Sequence, residues 1–161
     1  LRDDANRDGL WAGLLDGTLG MVVSDHSPCP AELKRTGPRG LADAWGGVSS
    51  LQLGLAATWT EARPRGHGID DVVRWMSTRP ADRAALWHKG RIAEGADADL
   101  CVFAPDESFV VDPARLQHRH PVTPYAGRTL TGVVRQTLLA GRPVDLDAPP
   151  RGRLLARKGS R

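Results

Sequence analysis

The apolar run Met21-Val22-Val23 passes into Ser24-Asp25-His26-Ser27 without a break, and Pro28 and Pro30 then bar any regular element from continuing. A strand that ends this way delivers an acid, an imidazole and a hydroxyl to one place. In barrels and open α/β sheets the loops at the carboxyl ends of parallel strands carry the chemistry, so the cluster reads as catalytic. The bland alternative is that Asp25 orders the turn through its own backbone. Upstream, Leu10, Trp11, Leu14 and Leu15 fall on one helical face and predict a helix over 4–16, capped by Asp3 or Asp4 and closed by Gly17. Helix followed by a continuously apolar strand is the order of a parallel α/β unit buried on both faces.

From Ser27 to Gly40 the composition turns to Pro, Gly and charge, which makes a long loop and a candidate wall or lid beside the cluster. A second helix is predicted from Ser49 or Ser50 to before Pro64, with Val48, Leu51, Leu55 and Trp59 on its inner face. Asp70 or Asp71 caps a third carrying Val72, Val73 and Met76, and Thr78 with Pro80 in its first turn starts a fourth through Leu86. After Gly90 the period becomes two. Strands are predicted at 100–103, 109–111, 133–139 and around Val144, with Ala140-Gly141-Arg142-Pro143 as the turn between the last two. This divides the chain into 1–90, 91–150 and a basic tail, 151–161, read as flexible.

Composition narrows the function classes. The net charge is +3 and the pI about 9.3, but only three of the 22 basic residues are lysine, and the basic side chains are scattered until the tail. That pattern argues against a nucleic-acid or membrane-surface protein. Two cysteines, Cys29 and Cys101, make no disulfide framework, and no apolar stretch is long enough to span a bilayer, so a cytoplasmic protein is expected. With neither a second thiol nearby nor a His-Asn partner set, Cys29 reads as a packed or loop thiol rather than a nucleophile.

Ser24-Asp25-His26-Ser27-Pro28-Cys29-Pro30 followed by Trp45-Gly46-Gly47-Val48-Ser49-Ser50-Leu51-Gln52 resembles the allantoinases, cyclic-amide hydrolases of the amidohydrolase superfamily. Lys89-Gly90-Arg91-Ile92 with Gly95 and Ala98-Asp99-Leu100, then His118-Arg119-His120 and Pro124-Tyr125-Ala126-Gly127-Arg128, extend the likeness to about Val144. The resemblance implies an α/β fold: the C-terminal part of a TIM-like (β/α)8 barrel, in which 21–25 is the last strand, followed by part of a small β-sandwich. A complete barrel of this kind takes about 250 residues, so 161 residues and an opening Leu1 are read as part of a larger enzyme.

The resemblance also implies a chemistry. The matching Asp ligates one metal of a binuclear divalent centre, usually Zn2+, and shuttles a proton to the leaving nitrogen; here that residue is Asp25, as both catalytic group and metal ligand. Ser27 is a candidate substrate contact, with an ordinary turn hydroxyl as its equal alternative. Trp45, Gly46 and Gly47 are candidate substrate-binding residues, because two glycines let the main chain approach a flat ring and read its imide edges, with a hinge before the helix at Ser49 as the alternative. His26 leaves the strand on the side opposite Asp25 and is given a loop-orienting role. His118-Arg119-His120 has the form of the superfamily's metal-binding His-x-His but matches a non-catalytic region, so it is assigned to structure or subunit contact. His67 and His88 read as isolated. The remaining ligands and the bridging carboxylated lysine have no counterpart in this chain. The implied reaction is opening of the hydantoin ring of allantoin to allantoate in purine catabolism, by a homo-oligomer, a tetramer in the family. Two alternatives stand beside it: a dihydropyrimidinase or hydantoinase acting on related ureides, and a metal-free paralogue with a scaffold role.

Overall fold

Helix α1, Asp4–Asp16, begins where the Asp3 carboxylate accepts the Asn6 N–H at 2.9 Å and ends at Gly17, whose φ of 86° turns the chain out of the helix. The computed structural model describes residues 3–35 and 37–155; the end of the basic tail, 156–161, lies outside the described residues. The inner face of α1 is narrower than its sequence spacing predicts. Leu14 is buried and Trp11 packs beside it, whereas Leu10 and Leu15 are exposed. The covered face is the one that meets the core: the buried Trp75 indole donates to the Leu14 carbonyl at 3.1 Å, and Trp11 stacks on His67 and packs against Trp75.

Residues 20–25 take no regular secondary structure and join no ladder among the described residues, which corrects the predicted strand at 21–25. An apolar run reports that a segment prefers burial; it becomes a strand only when neighbours take its backbone groups. Here Val22 N–H reaches the Trp75 carbonyl at 3.1 Å and His26 forms a parallel bridge with Val48, and among the described residues no strand lies alongside.

A 3-10 turn, Leu51–Leu53, leads into α2, Gly54–Ala62. The rod runs through Pro64 in a further 3-10 turn and stops at Gly66, so the predicted break before Pro64 is displaced by two residues. Its buried positions are Leu53, Ala56, Trp59 and Ala62, a three-residue stagger, and the predicted Leu51 lies outside. Helix α3, Ile69–Val73, is capped through Asp71, whose carboxylate accepts the Gly68 N–H at 3.0 Å. That bond holds the Asp71 carboxyl below its usual range. Its buried residue is Val72, not Val73. No break separates α3 from α4, Arg79–Arg83: a π turn, Arg74–Thr78, joins them. Pro80 has no N–H for the Met76 carbonyl and its ring crowds that oxygen, and a widened turn relieves both. Leu86 lies beyond the end of α4.

The β segment is one antiparallel sheet in the order β1-β2-β3, from β1, Leu100–Val110, β2, Thr129–Leu139, and β3, Arg142–Pro143. The two predicted strands at 100–103 and 109–111 are a single strand interrupted by a bulge between Ala104 and Ser108. Pro105 explains the interruption, since it has no N–H to donate to the ladder. Its carbonyl instead accepts the Trp59 indole at 2.9 Å and Arg63 at 3.2 Å. Opposite the bulge, Gly132 takes a φ of 96°, and a Cβ there would collide with the Phe103 and Trp59 rings. Ala140 and Gly141, both at positive φ, make the β2–β3 turn, so Arg142 and Pro143 belong to β3 rather than to the turn.

Both cores span the helical and β segments. One holds Leu14, Trp59, Ala62, Val72 and Trp75, with Phe103 packed against it. The other joins Leu53 and Ala56 to Val111 and Leu130. Around residue 90, Lys89 bridges Asp97 and Asp99, and this pairing holds the Asp99 carboxyl below its usual range. No helix among the described residues is long and apolar enough to cross a membrane.

Candidate functional site

Asp25 sits at φ 45°, a left-handed conformation that costs a residue bearing a Cβ about 1–3 kcal/mol. The strain is held in place by its neighbours. Ser27 Oγ donates to the Asp25 carbonyl at 3.0 Å and accepts the Val48 N–H at 3.0 Å, while Ser27 N–H donates to the Val48 carbonyl at 2.9 Å. The Asp25 carboxylate is exposed and makes no hydrogen bond or ion pair among the described residues. A strained, fixed backbone carrying an unpaired acid is the opposite of a turn-ordering Asp, whose carboxylate would be occupied by local N–H groups.

His26 is held from the other side. Its Nδ1 accepts the N–H groups of Ser50 at 3.1 Å and Leu51 at 3.2 Å, where the chain enters the turn before α2, and Ser50 Oγ donates to the Ser24 carbonyl at 2.7 Å. Through Nδ1 the ring ties the Asp25 loop to the turn before α2.

The structure brings Trp45-Gly46-Gly47 to this cluster. Gly47, at φ 83°, packs so closely on Ser27 that a Cβ would meet both its carbonyl and its hydroxyl. Trp45 is 60% exposed and stands as an open wall. Sequence reasoning missed Lys34, whose ammonium donates to the carbonyls of Trp45 at 3.2 Å, Gly46 at 2.6 Å and Gly47 at 2.6 Å. Those carbonyls are therefore taken, and the imide-reading capacity left to the segment lies in the N–H groups of Gly46 and Gly47, which make no hydrogen bond among the described residues. No local pattern announces Lys34: it lies in a charged loop, and its acceptors come eleven to thirteen residues later.

The other candidates fall outside the cluster or beside it. His118 packs on His26 rather than on Asp25, His67 lies between Trp11 and Trp75, and Cys29 is buried as a free thiol. Among the described residues no three His, Cys, Asp or Glu side chains are grouped to hold a metal. Asp25 fits a contributor of one ligand, since its carboxylate is exposed and unpaired among the described residues and its backbone is held by Ser27.

Residues 56–145 match the Amidohydrolase family. The chain is 55% identical to an allantoinase of Streptomyces avermitilis over 98% of its own length and 36% of the relative's. It is 39% identical to an allantoinase of Salmonella newport over 96% of the chain and 35% of that protein. In structure it resembles the L-hydantoinase of Arthrobacter aurescens, with a TM-score of 0.82 and 27% identity over 96% of this chain and 34% of that one. The D-hydantoinase of a Thermus species gives a TM-score of 0.80 and 27% identity over 89% and 32%. The chain thus spans about a third of the length of the proteins it matches.

Proposed function

The chain belongs to the amidohydrolase family, and on that premise we propose that it is the part of an allantoinase that carries the proton-transferring aspartate and one wall of the substrate site. The observation that carries this reading is the 55% identity to the Streptomyces avermitilis allantoinase over 98% of the chain. In this proposal 1–90 belongs to a (β/α)8 barrel and 91–150 to a β-sandwich that shares its cores.

Asp25 would hold one divalent metal of a two-metal centre. When bound, such a metal polarises an amide carbonyl and acidifies water to a pKa of about 7. The other ligands and the carboxylated lysine are proposed to come from the two thirds of the relatives' length that this chain does not span. Asp25 accepts the proton released as water attacks the hydantoin carbonyl, then returns it to the ring nitrogen as the C–N bond breaks. Its backbone, held by Ser27, fixes the point from which the carboxylate reaches both atoms. Gly46 and Gly47 donate N–H groups to the ring, Trp45 covers it, and Ser27 acts first by clamping 25–27 to Val48. Zinc, purine catabolism, a homotetramer and the cytoplasm belong to the same proposal and rest on the family resemblance.

The test is substrate choice in a fusion in which this chain replaces the matching segment of the Streptomyces avermitilis relative. Allantoin is expected to turn over faster than dihydrouracil or unsubstituted hydantoin. A faster rate on dihydrouracil would transfer the assignment to the hydantoinase and dihydropyrimidinase branch to which the solved structures belong.

A further inference from the structure

We infer that Lys34 is a positioning residue for substrate binding: its ammonium gathers three consecutive carbonyls and thereby turns the N–H groups of Gly46 and Gly47 outward, toward the substrate. The inference rests on the reading of Trp45–Gly47 as a substrate wall and goes beyond it by naming what sets that wall.

The geometry follows from the planarity of the peptide. In a trans peptide the C=O of one residue and the N–H of the next point in opposite directions. The carbonyls of Trp45, Gly46 and Gly47 all point to Lys34 Nζ. The N–H groups of Gly46, Gly47 and Val48 therefore point away from it. Where Val48 N–H goes is known: it donates to Ser27 Oγ at 3.0 Å. The side facing away from Lys34 is thus the side of Ser27, whose hydroxyl also holds the Asp25 carbonyl at 3.0 Å. Gly46 and Gly47 present two successive N–H groups on the face turned away from Lys34, unpartnered among the described residues and free to donate to separate acceptors of a bound ring.

Three carbonyls also match the chemistry of the cation. An ammonium has three donors and no acceptor, so a lysine half-buried in this loop is satisfied by this segment alone. Two adjacent glycines are otherwise the most mobile backbone available, and a loosely held pair would lose freedom each time substrate bound. Lys34 removes that freedom beforehand. Arginine cannot replace it fully, because its planar fork spreads its donors instead of converging them.

The experiment pairs Lys34→Met with Lys34→Arg and Gly46→Ala in the fusion, and adds amide exchange of residues 45–48 in the same fusion. Lys34→Met is expected to raise KM for allantoin about tenfold while kcat stays within about twofold, and exchange at 45–48 should accelerate. Lys34→Arg should recover part of the KM. An unchanged KM in Lys34→Met overturns the inference, as does a raised KM with unchanged exchange, which would mean that charge and not position is lost. Gly46→Ala separates the two failures. A Cβ at Gly46 meets nothing within 4 Å, so it intrudes only on what binds there. If Gly46→Ala raises KM and Lys34→Met does not, the wall stands and Lys34 falls; if neither raises it, the wall falls too.

Discussion

The His118 ring packs against the His26 ring, their centroids 4.9 Å apart and their planes inclined by 58°. This contact ties the segment after β1 to the loop that carries Asp25. Within a His-x-His sequence that imitates a metal site, His118 packs on a ring, and neither of its ring nitrogens has a hydrogen-bond partner among the described residues. Burial, and then the neighbouring His26, hold the His118 pKa below its ordinary 6.5.

That depression has a sign. Between the folded pKa and 6.5 the unfolded chain binds a proton that folded His118 refuses, so stability is full above 6.5 and declines as pH falls through that window. Thermal melting of the fusion is expected to be flat from about pH 7 upward and to drop below pH 6.5 before carboxylates such as Asp71 and Asp99 begin to titrate. His118→Phe keeps a ring against His26 and should flatten the decline. A slope that survives in the variant would place its origin elsewhere.

The bulge in β1 sets a second expectation. Gly132 stands opposite it with a φ of 96°, and the Phe103 and Trp59 rings fill the space where a Cβ would lie. Gly132→Ala therefore combines backbone strain with overpacking, a loss of about 2–4 kcal/mol. Urea unfolding is the check, and a loss under about 1 kcal/mol would mean that the bulge repacks freely.

Local chemistry was legible in the sequence, and long-range pairing was not. The Asp3 cap and Gly17 stop of α1 were readable because capping acts within one turn. So was the clustering of polar groups at Asp25–Ser27, since an apolar run can end in such residues only at a site or a turn. Met21–Ser24 failed as a strand because its character says nothing of who pairs with it. Pro80 was visible, but its effect, a π turn in place of a helix break, depends on Trp75 holding the rod in the core. Lys34 and His118 were opaque for a common reason: each is defined by a partner far along the chain, and neither type nor spacing encodes that partner.

The last expectation concerns Asp25 itself. Asp25→Asn keeps the size of the side chain and, since Asn tolerates a left-handed backbone as well as Asp does, keeps the φ of 45°. The carboxylate has no hydrogen-bond partner among the described residues to lose, so the fold should melt within about 0.5 kcal/mol of the parent, as surface substitutions do. What disappears is the charge that would hold a metal and the basicity that would carry the proton. General acid–base catalysis alone is worth about 10² to 10⁴ in rate, and in the fusion allantoin turnover should fall by at least that factor, while His120→Ala keeps most of it. Metal content measured on the same samples divides the two causes. A variant that retains its metal but not its rate isolates the proton transfer, and one that loses both shows that ligation comes first. Parental turnover with metal still bound would remove Asp25 from the chemistry, and its strained backbone would then need another explanation.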